Sequence, residues 1–127
     1  MIELPRQERF VNSYIAVALG GAIGATLRFA VSEWVGNPQG TLVVNAAGSL
    51  LLGVCMAALA SEMISKELTL LLGTGILGAF TTMSTFSVET IEMWGDDSTK
   101  AVGYVLLTMV LCPLLALCGW KAFETIA

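Results

Sequence analysis

Five hydroxyl side chains fall within seven residues of one of the most apolar runs in this sequence. The run is GAFTTMSTFSVE, residues 78–89, and the hydroxyls belong to Thr81, Thr82, Ser84, Thr85 and Ser87. Hydroxyls donate and accept hydrogen bonds, and Glu89 adds a carboxylate at the end of the run. Two interpretations stay open. The hydroxyls bond back to the preceding helical turn, or they line a site for a polar ligand. The density of the cluster favours the second.

The elements that must carry this cluster are membrane helices. The chain has 127 residues, of which 56% are hydrophobic, and its mean hydropathy is +0.81, which is too apolar for a soluble core of this size. A bilayer core of about 30 Å requires roughly 20 helical residues. Four segments reach that length, at residues 11–32, 41–60, 68–94 and 101–120. The sequence predicts one all-α membrane domain of four helices over residues 1–127.

The residue types exclude several classes of function. The chain has no His and no Cys-x-x-Cys pair, so zinc and haem sites and Ser-His-Asp catalysis are excluded. We find no nucleophile-base pair and predict that the chain is not an enzyme. It also lacks the basic patch that binding to nucleic acid requires. Its three cysteines, Cys55, Cys112 and Cys118, fall within predicted helices, where a thiol is usually a small packing residue.

The N-terminal segment and the loops carry the signals for topology. Arg6 and Arg9 precede the first apolar run as in a signal peptide, but the run is too long and lacks a small-residue cleavage site. We therefore expect a membrane helix. If the four helices alternate across the membrane, four basic residues lie on one side and two on the other, which specifies no single orientation. The four are Arg6, Arg9, Lys66 and Lys121; the two are Lys100 and Arg28.

The third segment predicts a broken helix. Residues 68–94 exceed the length that a straight span needs, and Gly73, Gly75 and Gly78 precede the hydroxyl cluster. Non-helical backbone at membrane depth persists only where it is buried in protein or lines a cavity. We expect the break within residues 78–82, with free carbonyls and hydroxyls directed at a polar partner.

Small and polar residues in the first two helices offer further candidates. Gly20 and Gly24 form a GxxxG pair, repeated one residue later by Gly21 and Ala25, which favours close helix packing. We expect the GxxxG face to offer a packing surface for an antiparallel dimer. Arg28 lies about a turn and a half inside its span and either snorkels to the headgroups or faces an aqueous vestibule.

Asn45 and three residues of the fourth helix are the remaining polar candidates. The Asn45 amide joins helices or offers its two N–H donors to an anion. Tyr104, Thr108 and Cys112 are spaced four apart and share one helix face, and Pro113 predicts a kink beside them.

Four segments, in order and at matching spacing, resemble the Fluc/CrcB family of fluoride channels. They are GGAIGATLRF at 20–29, GTLVVN at 40–45, GILGAFTTMSTFSVE at 75–89 and GYVLLT at 103–108. The resemblance implies a fluoride-selective channel for passive efflux in the cell's inner (plasma) membrane. It also implies an antiparallel, dual-topology homodimer in the lipid bilayer with two pores, although a paralogous chain remains an alternative partner.

The resemblance also implies roles for individual residues. Carbonyls of Gly78 and Thr81 would hold a structural sodium ion (Na+) on the dimer axis. Asn45 would face the permeating fluoride, and Tyr104, Thr108 and Cys112 would form a polar track. The family's paired pore phenylalanines would fall at Met83 and Phe86, so Met83 departs from the family pattern. Thr108 and Cys112 also depart from it, because serines are common at those two positions. With Ser84 and Thr85 of the hydroxyl cluster, these residues make up the predicted fluoride pathway, and Arg28 and Glu89 are predicted vestibule or structural polar residues.

Two other functions compete with this interpretation. A small multidrug-resistance-type exporter also has four helices, but it requires a titratable carboxylate deep in the first helix, and residues 11–32 contain none. A non-transporting membrane subunit would use the small-residue faces only for assembly. The clustered hydroxyls argue against this second alternative.

Overall fold

The structure, a computed structural model, describes residues 6–127, and they form helices joined by short turns. The elements in chain order are α1 (Arg6–Val35), α2 (Gln39–Ala60), α3 (Lys66–Thr69), a π-helical segment (Leu70–Leu77), α4 (Gly78–Phe80), α5 (Met83–Asp96) and α6 (Ser98–Ile126). They make four spans long and apolar enough to cross a membrane, since α3 to α5 together form the third. The prediction of an all-α, multi-pass membrane protein is confirmed.

The helices extend beyond the predicted bounds, because the prediction followed the apolar runs and helices continue into polar residues at the headgroups. Side-chain caps set two of the real starts. Ser65 Oγ accepts the Leu68 N–H at 3.1 Å, and Asp97 Oδ1 accepts the N–H groups of Thr99 and Lys100 at 3.0 and 3.2 Å. Capping satisfies backbone donors that have no partner inside the helix.

Glycines let the helices pack in two closely spaced pairs. In the first pair, α1 lies against the π-helical segment, where a Cβ added to Gly20 or Gly24 would collide with the carbonyl of Leu71 or Ile76. In the second pair, α2 lies against α6, where a Cβ added to Gly119 would collide with the carbonyl of Leu50. The Gly20–Gly24 pair is therefore a packing face, as predicted, but its partner is the third span of the same chain, so it does not offer the expected surface for a dimer.

Gly21, which begins the second small-residue repeat, behaves differently. A Cβ at Gly21 would meet no atom within 4 Å. The chain therefore uses one small-residue face of α1 internally and leaves the other open.

The third span breaks between α4 and α5, within the predicted interval. Thr81 and Thr82 have extended backbones, with φ/ψ of −82°/157° and −151°/112°. The break interrupts the helical hydrogen-bond ladder within the third span. By contrast, α6 runs on as helix through Pro113.

Candidate functional site

Two polar stripes, one on α2 and one on α6, lie on helices that pack against each other. The α6 stripe is the predicted set Tyr104, Thr108 and Cys112; the α2 stripe, also spaced four apart, is Thr41, Asn45 and Ser49. Four of the six residues are at least nine-tenths buried: Thr41 is 1% exposed, Asn45 9%, Tyr104 8% and Thr108 6%. Buried polar groups require partners or a ligand.

A cavity of about 300 Å³, which we call the central cavity, lies between the stripes and the break. It brings together five of the eight residues predicted for the fluoride pathway. These are Asn45, Met83, Phe86, Thr108 and Cys112. Thr81, Thr82 and Ser49 also line it. The residues that surround this cavity come from α2, the break, α5 and α6.

The predicted residues Ser84 and Thr85 line a different depression. This second depression, the acidic pocket, has a volume of about 410 Å³ and is also lined by Asn37, Glu89 and Glu92. The α5 helix separates the two sites, because side chains on its opposite faces line different cavities. The hydroxyl cluster is therefore divided between the two cavities, although the hydroxyls of Thr82 and Thr85 bond to each other at 3.0 Å. Ser87 lines neither cavity, and its hydroxyl bonds back to the preceding turn at 2.8 Å, as the first interpretation expected; the Thr81 hydroxyl does so too, at 3.1 Å.

Glu89 is held between α2 and α6. The Thr41 hydroxyl donates to its Oε1 at 2.6 Å, and the Tyr104 hydroxyl donates to its Oε2 at 2.7 Å. The Tyr104 ring also packs against Phe86, with ring centroids 5.1 Å apart. Glu89 is 9% exposed. These bonds connect three helices through the carboxylate. Glu89 was predicted to be a vestibule residue or a structural polar residue, and the bonds fit the structural role.

Asn45 holds the C-terminal side of the break. Its Oδ1 accepts the Thr82 N–H at 2.7 Å, and its Nδ2 donates to the Thr82 carbonyl at 3.1 Å. The Thr82 hydroxyl in turn accepts the Thr85 N–H at 3.2 Å and caps α5. Asn45 thus joins helices as one interpretation expected, and it also lines the central cavity as the other did.

Arg28 holds the N-terminal side of the break. Its Nε donates to the Ala79 carbonyl at 3.0 Å, and the side chain is half-buried. Neither sequence-based expectation, snorkelling or an open vestibule, included this contact across 51 residues of chain. The arginine replaces the helical donor that the break removes from Ala79.

The carbonyls of Gly78 and Thr81 have few partners at the break. Within residues 6–127, no backbone N–H donates to either, and Gly78 receives only the Thr81 hydroxyl at 3.5 Å. The same described range holds no group of three or more His, Cys, Asp or Glu suited to a metal. Carbonyl oxygens are nevertheless good ligands for hard cations, so these two have the chemistry that the predicted sodium site requires, and the site stays a prediction.

Thr108 carries the one buried side-chain polar atom without a hydrogen-bond partner in the described part of the chain. Its Oγ1 is inaccessible to solvent, and the residue lines the central cavity. A buried hydroxyl without a partner costs free energy, so a ligand that pairs with it would be stabilised.

Comparison with known proteins assigns the family. The family model described as "CrcB-like protein, Camphor Resistance (CrcB)" matches residues 15–120. The chain belongs to the CrcB family. Among its CrcB relatives is "Fluoride-specific ion channel FluC 2" of Moorella thermoacetica, 42% identical over 87% of this chain and 95% of the relative. "Fluoride-specific ion channel FluC" of Thermus thermophilus is 40% identical over 87% and 93%, and that of Thermotoga petrophila is 42% identical over 76% and 83%. The names describe ion channels, in agreement with the expectation that this CrcB chain is not an enzyme.

Sequence reasoning on this CrcB chain missed Thr41 and Ser49. Both lie one turn from Asn45, at positions four residues apart, so the signal that identified the α6 stripe was also present in α2. Sequence reasoning treated Asn45 as a lone polar residue and overlooked its neighbours on the same helix face.

Proposed function

We propose that this chain is a fluoride-specific ion channel that carries fluoride passively across the plasma membrane. The observation that carries the proposal is the central cavity, which Asn45 and Thr108 both line and which no charged side chain lines. The Thr108 hydroxyl has no partner there, and only one of the two Asn45 Nδ2 hydrogens is accounted for by its bond to Thr82. Family membership supports the same function.

The chemistry of this cavity suits a small, hard anion. Fluoride is strongly hydrated, so a conducting site must replace its water with hydroxyl and amide donors. The electropositive ring edge of Phe86, 5% exposed beside the cavity, adds a weak contact. Arg28 does not line the cavity and is bonded to Ala79, so no full positive charge traps the ion.

The driving force requires no energy source in the protein. Hydrogen fluoride enters cells as a neutral weak acid and releases fluoride in near-neutral cytoplasm. An inside-negative potential of 100 mV then favours exit of the anion by about 2.3 kcal/mol. Passive conduction is therefore sufficient for fluoride resistance.

The working unit in this proposal is an antiparallel homodimer with two pores. Met83 lines the central cavity and is 63% exposed, so a single chain leaves the cavity open on that side. A second copy would close it, and two-fold symmetry would give two equal pores. The nearly balanced basic residues of the two membrane faces are compatible with both orientations.

A sodium ion on the two-fold axis completes the proposal. Gly78 is exposed on the surface of the chain, and the carbonyls of Gly78 and Thr81 lack backbone donors. Two carbonyls are too few for a hard cation, whereas the same pair from each of two chains would supply four. When bound, the cation supplies the positive charge that stabilises carbonyls at a helix break inside the membrane.

Fluoride release from liposomes that contain only this protein tests the function. With a potassium ionophore to remove the voltage limit, we expect rapid fluoride efflux and negligible chloride efflux. Equal fluxes of the two anions, or no flux above that of empty vesicles, would contradict the proposal.

The dimer is tested separately by a tag on the C-terminus. We expect tags on both sides of the membrane in intact cells, in similar amounts. Tags on one side only would exclude the antiparallel arrangement and leave the fluoride assay as an independent result. If the pure chain is silent and conducts only with a paralogue, the partner is the paralogous chain.

A further inference from the structure

We infer that Asn45 is a positioning residue that couples the cation site at the break to the fluoride pathway in the central cavity. One side-chain amide frees the Gly78 carbonyl for a cation and aligns a donor for the anion. This inference rests on the proposed function, because it assigns a link between the two ions of that proposal.

The first half of the link is a competition for the N–H of Thr82. In a continuous α-helix this N–H would donate to the carbonyl four residues earlier, which is that of Gly78. Here it donates to Asn45 Oδ1 at 2.7 Å, and the Gly78 oxygen keeps only a 3.5 Å contact with the Thr81 hydroxyl. The Asn45 side chain therefore prevents a hydrogen bond from the Thr82 N–H to the Gly78 carbonyl. That bond would restore the helix and occupy the oxygen that we propose as a cation ligand.

The second half is the direction of the remaining amide hydrogen. Nδ2 carries two hydrogens, and its one recorded bond within residues 6–127 goes to the Thr82 carbonyl at 3.1 Å. The amide group is planar, so the two bonds to Thr82 fix its orientation, and the N–H of Thr82 determines which end is the oxygen. The other hydrogen of Nδ2 is thereby held in one direction on a residue that lines the central cavity with Thr108.

The two halves share one state of the backbone. While the break persists, the Gly78 carbonyl is free and Asn45 is hydrogen-bonded to Thr82. If this turn became helical, the free carbonyl and the bonds of Asn45 would be lost together. A cation on the carbonyls stabilises the open break and so preserves the aligned donor. Because coupling between two binding sites is reciprocal, fluoride in the cavity must then tighten cation binding by the same factor.

Cation binding at the break can be measured without a transport assay, from the increase in melting temperature that sodium produces in the purified protein. We compare melting temperatures in sodium chloride and in N-methylglucamine chloride, with and without fluoride. For the wild type we expect sodium to raise the melting temperature, and fluoride to lower the half-saturating sodium concentration by about fivefold or more. The coupling would be overturned if sodium did not change the melting temperature of the wild type. It would also be overturned if fluoride did not change the half-saturating sodium concentration.

Two substitutions separate the roles of the amide. Asn45→Leu removes the competitor for the Thr82 N–H, and we expect the sodium response to disappear. Asn45→Asp keeps an acceptor for that N–H but lacks the amide donor. We expect Asn45→Asp to retain the sodium response, to lose its dependence on fluoride and to conduct at least about tenfold less, or about 1.4 kcal/mol in barrier height.

Asn12 supplies the matched control, because it is an exposed asparagine of α1 that lines neither the central cavity nor the acidic pocket. Asn12→Leu and Asn12→Asp should behave as wild type in every measurement. A wild-type sodium response in Asn45→Leu overturns the inference. If that variant does not fold, Asn45→Asp decides, since loss of its sodium response would contradict the role assigned to Oδ1. Failure of wild-type fluoride flux would instead refute the proposed function, and the melting experiment would still report on the cation site.

Discussion

The phenol of Tyr104 on α6 donates a 2.7 Å hydrogen bond to Oε2 of Glu89 on α5. Thr41 on α2 satisfies the other oxygen of the same carboxylate, and all three residues are buried. The junction that these three residues form lies between the two cavities, since Glu89 lines the acidic pocket and Phe86, which packs against Tyr104, lines the central cavity. The Glu89 carboxylate therefore links α2, α5 and α6 and restricts how these helices rotate relative to one another.

Removing the Tyr104 hydroxyl should destabilise this junction. Tyr104→Phe keeps the ring against Phe86 and leaves Oε2 of Glu89 without its donor, which costs about 1–3 kcal/mol for a buried acceptor. We expect a lower melting temperature for the purified protein. Tyr14→Phe is the control, because the Tyr14 side chain is 64% exposed.

A double-mutant cycle with Glu89→Gln tests whether the two residues act through each other. We expect the combined loss to be smaller than the sum of the single losses, by about 0.5 kcal/mol or more. Strict additivity, or an effect of Tyr104→Phe no larger than that of Tyr14→Phe, would show that the bond does not stabilise the protein.

Met83 and Phe86 should differ sharply in their tolerance of substitution. Methionine is unbranched and polarizable, and Met83 is 63% exposed, so the cavity wall at this position adapts to other side chains. We expect Met83→Phe to change fluoride flux by less than about tenfold, or under roughly 1.4 kcal/mol in barrier height. Fluoride efflux from liposomes measures this. A silent wild type with a conducting Met83→Phe variant would mean that the pore requires a phenylalanine from another partner.

Phe86→Ile should reduce fluoride flux by far more than tenfold in the same liposomes. Phe86 is 5% exposed and packs against Tyr104, so isoleucine removes both the ring edge beside the cavity and an aromatic contact. Melting temperatures of the purified variants separate a loss of conduction from a loss of folded protein. Flux near that of wild type from folded Phe86→Ile would exclude a role for the ring in conduction.

Cys112 should make conduction sensitive to a small thiol reagent. Its side chain lines the central cavity beside Thr108, whereas Cys118 on the same helix is exposed and lines neither described cavity. Methylmercury bonds to the sulfur with loss of the thiol proton and fills part of the cavity. We expect it to reduce fluoride flux at least about tenfold in the wild type.

Serine substitutions identify the thiol responsible. Cys112→Ser should conduct and resist methylmercury, while Cys118→Ser should remain as sensitive as the wild type. Persistent inhibition of Cys112→Ser would place the reactive thiol at one of the two other cysteines, exposed Cys118 or buried Cys55.

The sequence was sufficient to predict features that depend on one segment. The break in the third span followed from its excess length and its glycines, and the α6 stripe followed from a spacing of four. Features that depend on how distant helices are rotated were not predictable. The bond from Arg28 to Ala79 and the division of the hydroxyls between two cavities are of this second kind.

The glycines of α1 illustrate the same limit. A GxxxG pair predicts that another helix approaches closely, but it does not say which helix. The expectation that Gly20 and Gly24 offer a packing surface for a dimer was wrong. In the structure they face the third span, where the carbonyls of Leu71 and Ile76 approach them.

Alanine substitutions should distinguish the two faces of α1. A Cβ at Gly24 would overlap the carbonyl of Ile76 and lie 3.0 Å from the backbone nitrogen of Phe80, the last residue before the break. Backbone atoms cannot move aside as a flexible side chain does, so we expect Gly24→Ala to cost about 1–3 kcal/mol and to lower the melting temperature. Gly21→Ala and Gly103→Ala should not, because neither Cβ would meet an atom within 4 Å and alanine favours the helix. Equal melting temperatures for Gly24→Ala and Gly103→Ala would refute the packing of α1 on the third span. A loss in Gly21→Ala that Gly103→Ala does not share would show that the open face of α1 is covered by a second chain.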